Sequence, residues 1–342
     1  MKILITGGAG FIGVNCTSYF TDKGHEVVIF DNLSRIGSEK NLEWIRSVCA
    51  AEFVEGDLRK YDDLVNVITQ KGPFDLILHL AAQVAVTTSV ANPREDFEIN
   101  ALGTFNLLEA IRLHNSATTL IYTSTNKVYG EMEDLNIIEK DGRYMYQNLP
   151  EGVNEERNLD FHSPYGCSKG SADQYCRDYS RIYGLKTIVM RQSCIYGYRQ
   201  FGVEDQGWVA WFCISAVLGK QITIYGDGKQ VRDVLFVDDL IRAYELAYEN
   251  KDRLSGRVFN IGGGPENTLS LHELIQHLEH LKGERISLKY DDWRPGDQKV
   301  FVGNISLAEK EFGWKPVVTS DEGVERLYKW VVENKNLFEY FH

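Results

Sequence analysis

Lys2-Ile-Leu-Ile-Thr6-Gly7-Gly8-Ala9-Gly10-Phe11-Ile12-Gly13 is the stretch whose reading decides the fold. An apolar run from Lys2 to Thr6 reads as a strand and breaks into glycines 7, 10 and 13, a G-x-x-G-x-x-G spacing. A helical pattern then runs to Lys23. Gly7 and Gly10 let the backbone turn sharply and approach a pyrophosphate, Gly13 allows close helix packing, and the helix N-terminus favours negative charge. A second strand, Glu26 to Phe30, ends at Asp31. An acid there accepts hydrogen bonds from ribose hydroxyls and repels a 2′-phosphate, which favours NAD over NADP; Arg35 nearby pulls the other way.

Alternation continues outward from this unit. Ala51 to Val54 and Phe74 to Leu80 read as strands, and Leu64 to Thr69 and Phe97 to Leu113 as helices. Repeated β-α alternation predicts an α/β fold, a doubly wound parallel sheet of Rossmann type whose ligands gather beyond the carboxyl ends of the strands. Asp57, Ala81, Ala82 and Asn100 follow or flank such ends. Asp57 is the candidate for the adenine, and Ala81 and Ala82 are small enough for a dinucleotide to lie against backbone. The expected division is residues 1–190 as the NAD-binding domain and 191–342 as a smaller, mixed C-terminal substrate domain, with some of its segments returning to the first.

The 342 residues, 43% of them hydrophobic, can bury a core of that size. A net charge of −12 without a Lys/Arg cluster argues against a nucleic-acid surface, so an anionic substrate needs local arginines. The first strand starts at Lys2, which leaves no stretch for a secretion signal, and no apolar run reaches membrane-spanning length, so the expected location is cytoplasmic. Six cysteines without a C-x-x-C pair read as reduced, packed thiols. His272, His277 and His280 fall on one helix without a third ligand, so no metal is expected. Glu131 to Asp160 is polar and turn-rich, reads as the least structured region, and is placed over the site.

The chemistry concentrates in Thr123-Ser124-Thr125 and in Tyr165-Gly-Cys-Ser-Lys169. A phenol titrates near pH ~10, so Tyr165 acts as a base at neutral pH only if a nearby cation stabilises its phenolate. Lys169 is four residues on, hence on the same helical face, and Ser163-Pro164 supplies the helix start.

Taken together these residues resemble the extended short-chain dehydrogenase/reductase family of nucleotide-sugar enzymes over nearly the whole chain, with Thr125, Tyr165 and Lys169 as the catalytic set. Several runs are similar to that family's epimerases of CDP-linked sugars. They are Asp31 to Arg35, Gln83 to Ser89, Asp96 to Asn100, Ser124 to Gly130, Asp160 to Gly170 and Asp205 to Cys213. The resemblance implies that tightly bound NAD, regenerated each cycle, is held by Gly7, Gly10, Phe11, Ile12, Asp31, Asn32, Ser34, Arg35, Asp57, Leu58, Leu80, Ala81, Ala82, Gln83, Asn100, Thr123, Tyr165 and Lys169. It implies that the sugar nucleotide meets Gln83, Thr125, Asn126, Arg199, Gln206, Gly207, Arg232, Arg294 and Asp297, with Arg232 and Arg294 clamping the diphosphate. A CDP-linked sugar is the implied substrate, with UDP- or GDP-linked sugars as alternatives. The implied assembly is a homodimer or homotetramer joined through helices around residues 96–113 and 163–183.

Two departures matter. Cys194 stands where many members have Asn, and a thiol cannot reproduce an amide's paired hydrogen bonds. Asn126 and Lys127 occupy the positions of the Asp-Glu pair of the 4,6-dehydratases, which argues against elimination across C5 and C6. Inversion of C2 through a transient 2-keto sugar is the expected reaction. A UDP-hexose 4-epimerase and a non-catalytic NAD-sensing module are the alternatives.

Overall fold

The computed structural model describes residues 1–294 and 297–340. Seven strands form one parallel sheet: β1 (Lys2–Thr6), β2 (Glu26–Asp31), β3 (Glu52–Glu55), β4 (Leu76–His79), β5 (Thr119–Thr125), β6 (Lys186–Gln192) and β7 (Arg257–Ile261). Their order across the sheet is 3-2-1-4-5-6-7, the doubly wound arrangement expected, with the strand order reversing beside β1. In register, Ile3 lies between Val27 and Leu76.

Side chains alternate across a strand, and here both faces are covered, so the strands are apolar throughout. Ile3, Ile5, Leu76, Leu78, Ile121, Ile188 and Met190 pack on one face with Cys16, Phe20 and Tyr244. These come from the helices Phe11–Asp22 and Val237–Glu249. Leu4, Ile77, Leu120, Tyr122 and Val189 face the other way, against Leu64, Leu107, Ile111 and Cys176. Those belong to Tyr61–Lys71, Gly103–His114 and Ser163–Tyr183.

After β6 the chain leaves the sheet. Cys194–Tyr196, Val231–Phe236, Thr268–Ser270 and Val300–Phe301 make a small mixed sheet, and Ile222–Tyr225 pairs in parallel with Leu288–Asp291. Between Val231–Phe236 and Thr268–Ser270 it returns to lay β7 against β6, Phe259 opposite Met190.

The expected single helix from Phe97 to Leu113 is three pieces. Pro93–Phe97 is a short helix that Asn92 caps, Glu98–Leu102 is a π turn, and Gly103–His114 follows. Glu131 to Asp160 is more ordered than its composition suggests. It carries an antiparallel hairpin, Ile137–Lys140 with Arg143–Tyr146, whose Tyr144 N–H donates to Lys229 O at 3.0 Å and whose Tyr146 hydroxyl donates to Val300 O at 3.1 Å. The hairpin thus docks on the small sheet. The helical histidines take separate partners: His277 lies 3.2 Å from the Asp321 carboxylate, and His272 3.3 Å from the Tyr290 hydroxyl. Among the described residues, no helix is long and apolar enough to cross a membrane.

Candidate active site

A long cleft opens where the strand order reverses. Gly7, Gly10, Phe11, Ile12, Asp31, Asn32, Ser34, Arg35, Asp57, Leu58, Leu80, Ala81 and Ala82 line it, and Arg199, Phe201 and Gln206 close its far side. Its shape depends on missing side chains. A Cβ on Gly7 would lie 2.7 Å from Ala81 Cα, and one on Gly13 would lie 2.3 Å from Gly7 O. Gly10 caps the helix Phe11–Asp22 with no side-chain hydrogen bond, so the first-turn N–H groups face the cleft. That bare helix start, with Asp31 and Asp57 at one end, fits a dinucleotide carrying a diphosphate at its middle.

Asp31 also holds the turn together. Its two oxygens accept the Ala9 N–H at 3.0 Å and the Leu33 N–H at 2.8 Å. Burial raises its pKa, and those two N–H groups and Arg35 oppose the rise. Beside Asn32 in the cleft, the Arg59 guanidinium grips Asp57 and holds its carboxyl down to about 2, and the Asn32 amide donates to it at 3.2 Å. Arg35 leaves this group and reaches across the cleft to Gln206 Oε1 at 2.7 Å.

The reactive side chains meet where β5 ends. Ser163–Tyr183 is the helix that the Ser-Pro start predicts, and the Ser163 hydroxyl accepts the Gly166 N–H at 3.2 Å. Tyr165 and Lys169 are both buried on the face turned to β5. Burial pushes the Tyr165 phenol up to about 12; the Thr125 hydroxyl and Arg35 lower it, and the Asp96 carboxylate raises it. Lys169 behaves differently from the sequence expectation. Its ammonium donates to Thr123 O at 2.5 Å and sits 4.5 Å above the Tyr122 ring, with no hydrogen bond to Tyr165 among the described residues. Burial lowers it to about 8, and Cys176, Asp173 and Asp96 oppose the fall. The protein alone therefore holds a protonated tyrosine beside a cation that is anchored to β5.

Gln83 and Asn100 turn inward rather than to the cleft. The Asn100 amide donates to Gln83 O at 3.0 Å, Asp96 Oδ1 at 3.1 Å and Ser168 Oγ at 3.1 Å. The Gln83 amide donates to Ala85 O at 2.8 Å and Asp96 Oδ1 at 3.0 Å. They brace the segment after β4 against the Tyr165 helix. The Thr123 hydroxyl likewise donates to His79 O at 2.9 Å, tying β5 to β4.

On the substrate side both expected phosphate arginines are gathered, each already holding a carboxylate. Arg232 donates to Asp297 Oδ1 at 2.6 Å, and Arg294 pairs with Asp205 at 3.1 Å while stacking 3.9 Å above the Tyr225 ring. Asp297 N–H donates to Arg294 O at 3.1 Å, a bond that links the two pairs. Of the run Trp293 to Gln298, Pro295 and Gly296 lie outside the described residues. Asn126 accepts the Thr125 hydroxyl at 3.3 Å, and Gly207, at φ +78°, starts the helix Trp208–Leu218. Arg199 is not part of this group. Its guanidinium lies 4.3 Å above Trp44 and 5.9 Å from Trp330, and burial lowers its pKa to about 10. A cation spread between two indoles serves packing of the cleft wall.

Several functional contacts have no local sequence signal. The buried Ser89 hydroxyl accepts the Tyr165 N–H at 3.1 Å. Between β6 and the helix Ser163–Tyr183, Arg191 and Asp173 form a fully buried pair at 2.9 Å, joined by the Ser124 hydroxyl at 2.8 Å and by Tyr129 at 3.2 Å. Asp173 is four residues beyond Lys169, a spacing that polar residues share widely.

A family model described as the NAD dependent epimerase/dehydratase family matches residues 3–262. A CDP-paratose 2-epimerase from Salmonella typhi is 49% identical over 335 residues, 96% of this chain and 99% of that protein. The crystal structure of a UDP-glucose 4-epimerase from Thermotoga maritima with UDP-glucose matches with a TM-score of 0.82 at 30% identity, covering 98% of this chain and 100% of the other. A dTDP-glucose 4,6-dehydratase from Streptomyces venezuelae, solved with NAD bound, gives a TM-score of 0.85 at 27% identity with 100% of both chains covered.

Proposed function

The chain belongs to the NAD dependent epimerase/dehydratase family, and from that membership we propose that it inverts C2 of CDP-paratose, giving CDP-tyvelose, through a transient 2-keto sugar. The observation that carries the reading is the meeting of Thr125, Tyr165 and Lys169 between a dinucleotide-shaped cleft and a pair of arginines. The identity with a CDP-paratose 2-epimerase supports C2 as the carbon and cytidine as the base.

Paratose has no oxygen at C3, so no neighbouring ketone can acidify the C2 hydrogen, and removal of that hydrogen as hydride is the route left. NAD held by the glycine turn, Asp31 and Asp57 would supply the hydride acceptor and, once reduced, the hydride donor for the return step. Tyr165 takes the C2-hydroxyl proton and later returns it. Thr125 hydrogen-bonds the reacting oxygen. Lys169, anchored on Thr123 O one turn along the helix from Tyr165, would donate to the cofactor ribose. Arg232 and Arg294 exchange Asp297 and Asp205 for diphosphate oxygens, a trade of one charge-assisted pair for another. The diphosphate is gripped while the sugar turns its other face.

Proton NMR of the protein with CDP-, UDP- and GDP-sugars tests the proposal. Interconversion of CDP-paratose and CDP-tyvelose without added NAD is the expected outcome. Conversion of UDP-glucose to UDP-galactose alone would make the enzyme a 4-epimerase. Substrate deuterated at C2 should keep its label in the product, and loss of the label to solvent would exclude hydride return.

The proposal includes a cytoplasmic location, which the six unpaired cysteines support, and a homodimer or homotetramer. The outer faces of Gly103–His114 and Ser163–Tyr183 expose Phe105, Leu113, Tyr175, Ile182 and Tyr183, with the Phe105 and Tyr175 rings 5.6 Å apart. Such a stripe suits an isologous helical interface. Phe105→Glu with Ile182→Glu should bring the light-scattering mass to that of one 39.0 kDa chain; an unchanged mass would move the interface elsewhere.

A further inference from the structure

A second cation lies between Thr125 and the arginine pair, and the reaction above leaves it without a role. Lys127 sits on the 3-10 turn Asn126–Tyr129, and its backbone N–H donates to the Thr125 hydroxyl at 3.2 Å. Its ammonium is largely withdrawn from water, and its one hydrogen bond among the described residues goes to a neutral acceptor, Gln298 Oε1, at 3.2 Å. That amide is fixed by its own donation to Gly130 O at 2.5 Å. An ammonium has three protons to place, and a buried cation held by one neutral oxygen is costly.

The surroundings repeat this imbalance. Burial and then repulsion from Arg232 lower the Lys127 pKa to about 8, while Asp297, Cys194 and Glu131 act against them. Cys194 lies among Lys127, Arg232 and Trp208, all of which lower its own burial-raised pKa. The indole N–H of Trp208 is buried and has the Cys194 sulfur, a weak acceptor, beside it. Two cations and the Trp208 N–H thus stand around Cys194, close to Thr125, and Asp297, the carboxylate that Arg232 holds, is on an exchangeable pair.

We propose that Lys127, Arg232 and the Trp208 indole form the subsite for the phosphate attached to the sugar, and that Lys127 thereby determines which ring carbon stands at Tyr165. The proposal rests on the reading of the substrate as a nucleotide-linked sugar. C2 is bonded to the carbon that carries the phosphate, whereas C4 lies across the ring. Bringing C2 to Tyr165 therefore requires the inner phosphate to sit closer to the catalytic side chains than bringing C4 does. A cation two residues from Thr125 holds it there.

Calorimetric titration of the NAD-loaded protein with CDP, UDP and CMP, across pH about 6.5 to 9.5, tests this. Lys127→Met should weaken CDP binding roughly 10- to 100-fold, the size of a charge-assisted hydrogen bond, and leave CMP binding unchanged because CMP lacks the inner phosphate. Only the protonated ammonium attracts phosphate, so wild-type CDP affinity should fall as pH rises through about 8. Lys127→Arg, which stays charged, should bind CDP with no such fall. Equal losses for CDP and CMP, or an alkaline fall that persists in Lys127→Arg, would overturn the subsite. Retained NAD content shows that the variants fold. If UDP is bound through Lys127 and CDP is not, the subsite holds and the cytidine reading fails; if CDP-paratose is epimerised and Lys127→Met binds CDP as wild type does, the reverse is true.

Discussion

Tyr165→Phe should lower kcat by about 10²- to 10⁴-fold while leaving bound NAD and the KM for the sugar nucleotide close to wild type. Phenylalanine keeps the ring that fills the buried position at the start of the helix Ser163–Tyr183 and removes only the hydroxyl. Because burial holds the phenol at about 12, and Thr125 and Arg35 only partly offset it, the wild-type enzyme should gain kcat/KM as pH rises from the acid side. The group must lose its proton before it can accept one. Stopped assays on both enzymes, with NAD released by denaturation and quantified, check the point. A variant within tenfold of wild type would remove Tyr165 from proton transfer and return the nicotinamide cleft to a sensing role.

Arg191→Met should destabilise the protein by about 3–5 kcal/mol, the usual result of stranding one member of a buried ion pair. Asp173 is fully buried and would be left, among the described residues, with the Ser124 hydroxyl and the Gln174 amide as hydrogen-bond partners. In melting temperature the loss is several degrees for a chain of this length. Pairing Arg191→Met with Asp173→Leu should recover most of it, since an apolar pair of similar volume often replaces a buried salt bridge without cost. Denaturant midpoints of the two single variants and the double variant decide this. A single variant as stable as wild type would mean that water already solvates the pair. The same helix carries Tyr165 and Lys169, so the single variants should lose activity along with stability.

Features set by neighbouring residues were legible in the sequence. The glycine turn and Asp31 are a local pattern, and Ser163-Pro164 marks the start of its helix, with the cap at His162, one residue before the Ser163 that the pattern assigns to it. Features set by distant partners were not. The π turn at Glu98–Leu102 inserts a residue into a hydrophobic pattern that still looks helical, and only Asn100, wedged between Gln83 and Ser168, reveals its purpose. The hairpin at Ile137–Tyr146 is mostly exposed, so it lacks the apolar alternation that betrays a strand. Arg199 lies in a glycine-rich, site-like run, yet its partners Trp44 and Trp330 come from opposite ends of the chain. Lys169 was assigned to Tyr165 by helical spacing, whereas the carbonyl of Thr123 competes for the ammonium from a strand that spacing cannot see.

The return of the chain to lay β7 beside β6 governs how this protein could be rebuilt. A chimera exchanging sugar preference with a relative cannot be made by one cut after β6. Such a cut would trade away an outer rung of the nucleotide scaffold and the helix before it, and would leave the β6 backbone open to pairing with other molecules. Two inserts, placed on either side of Val237–Ile261, would leave the scaffold whole. Lineages that diversified by recombination would be expected to carry their breakpoints at those same two seams.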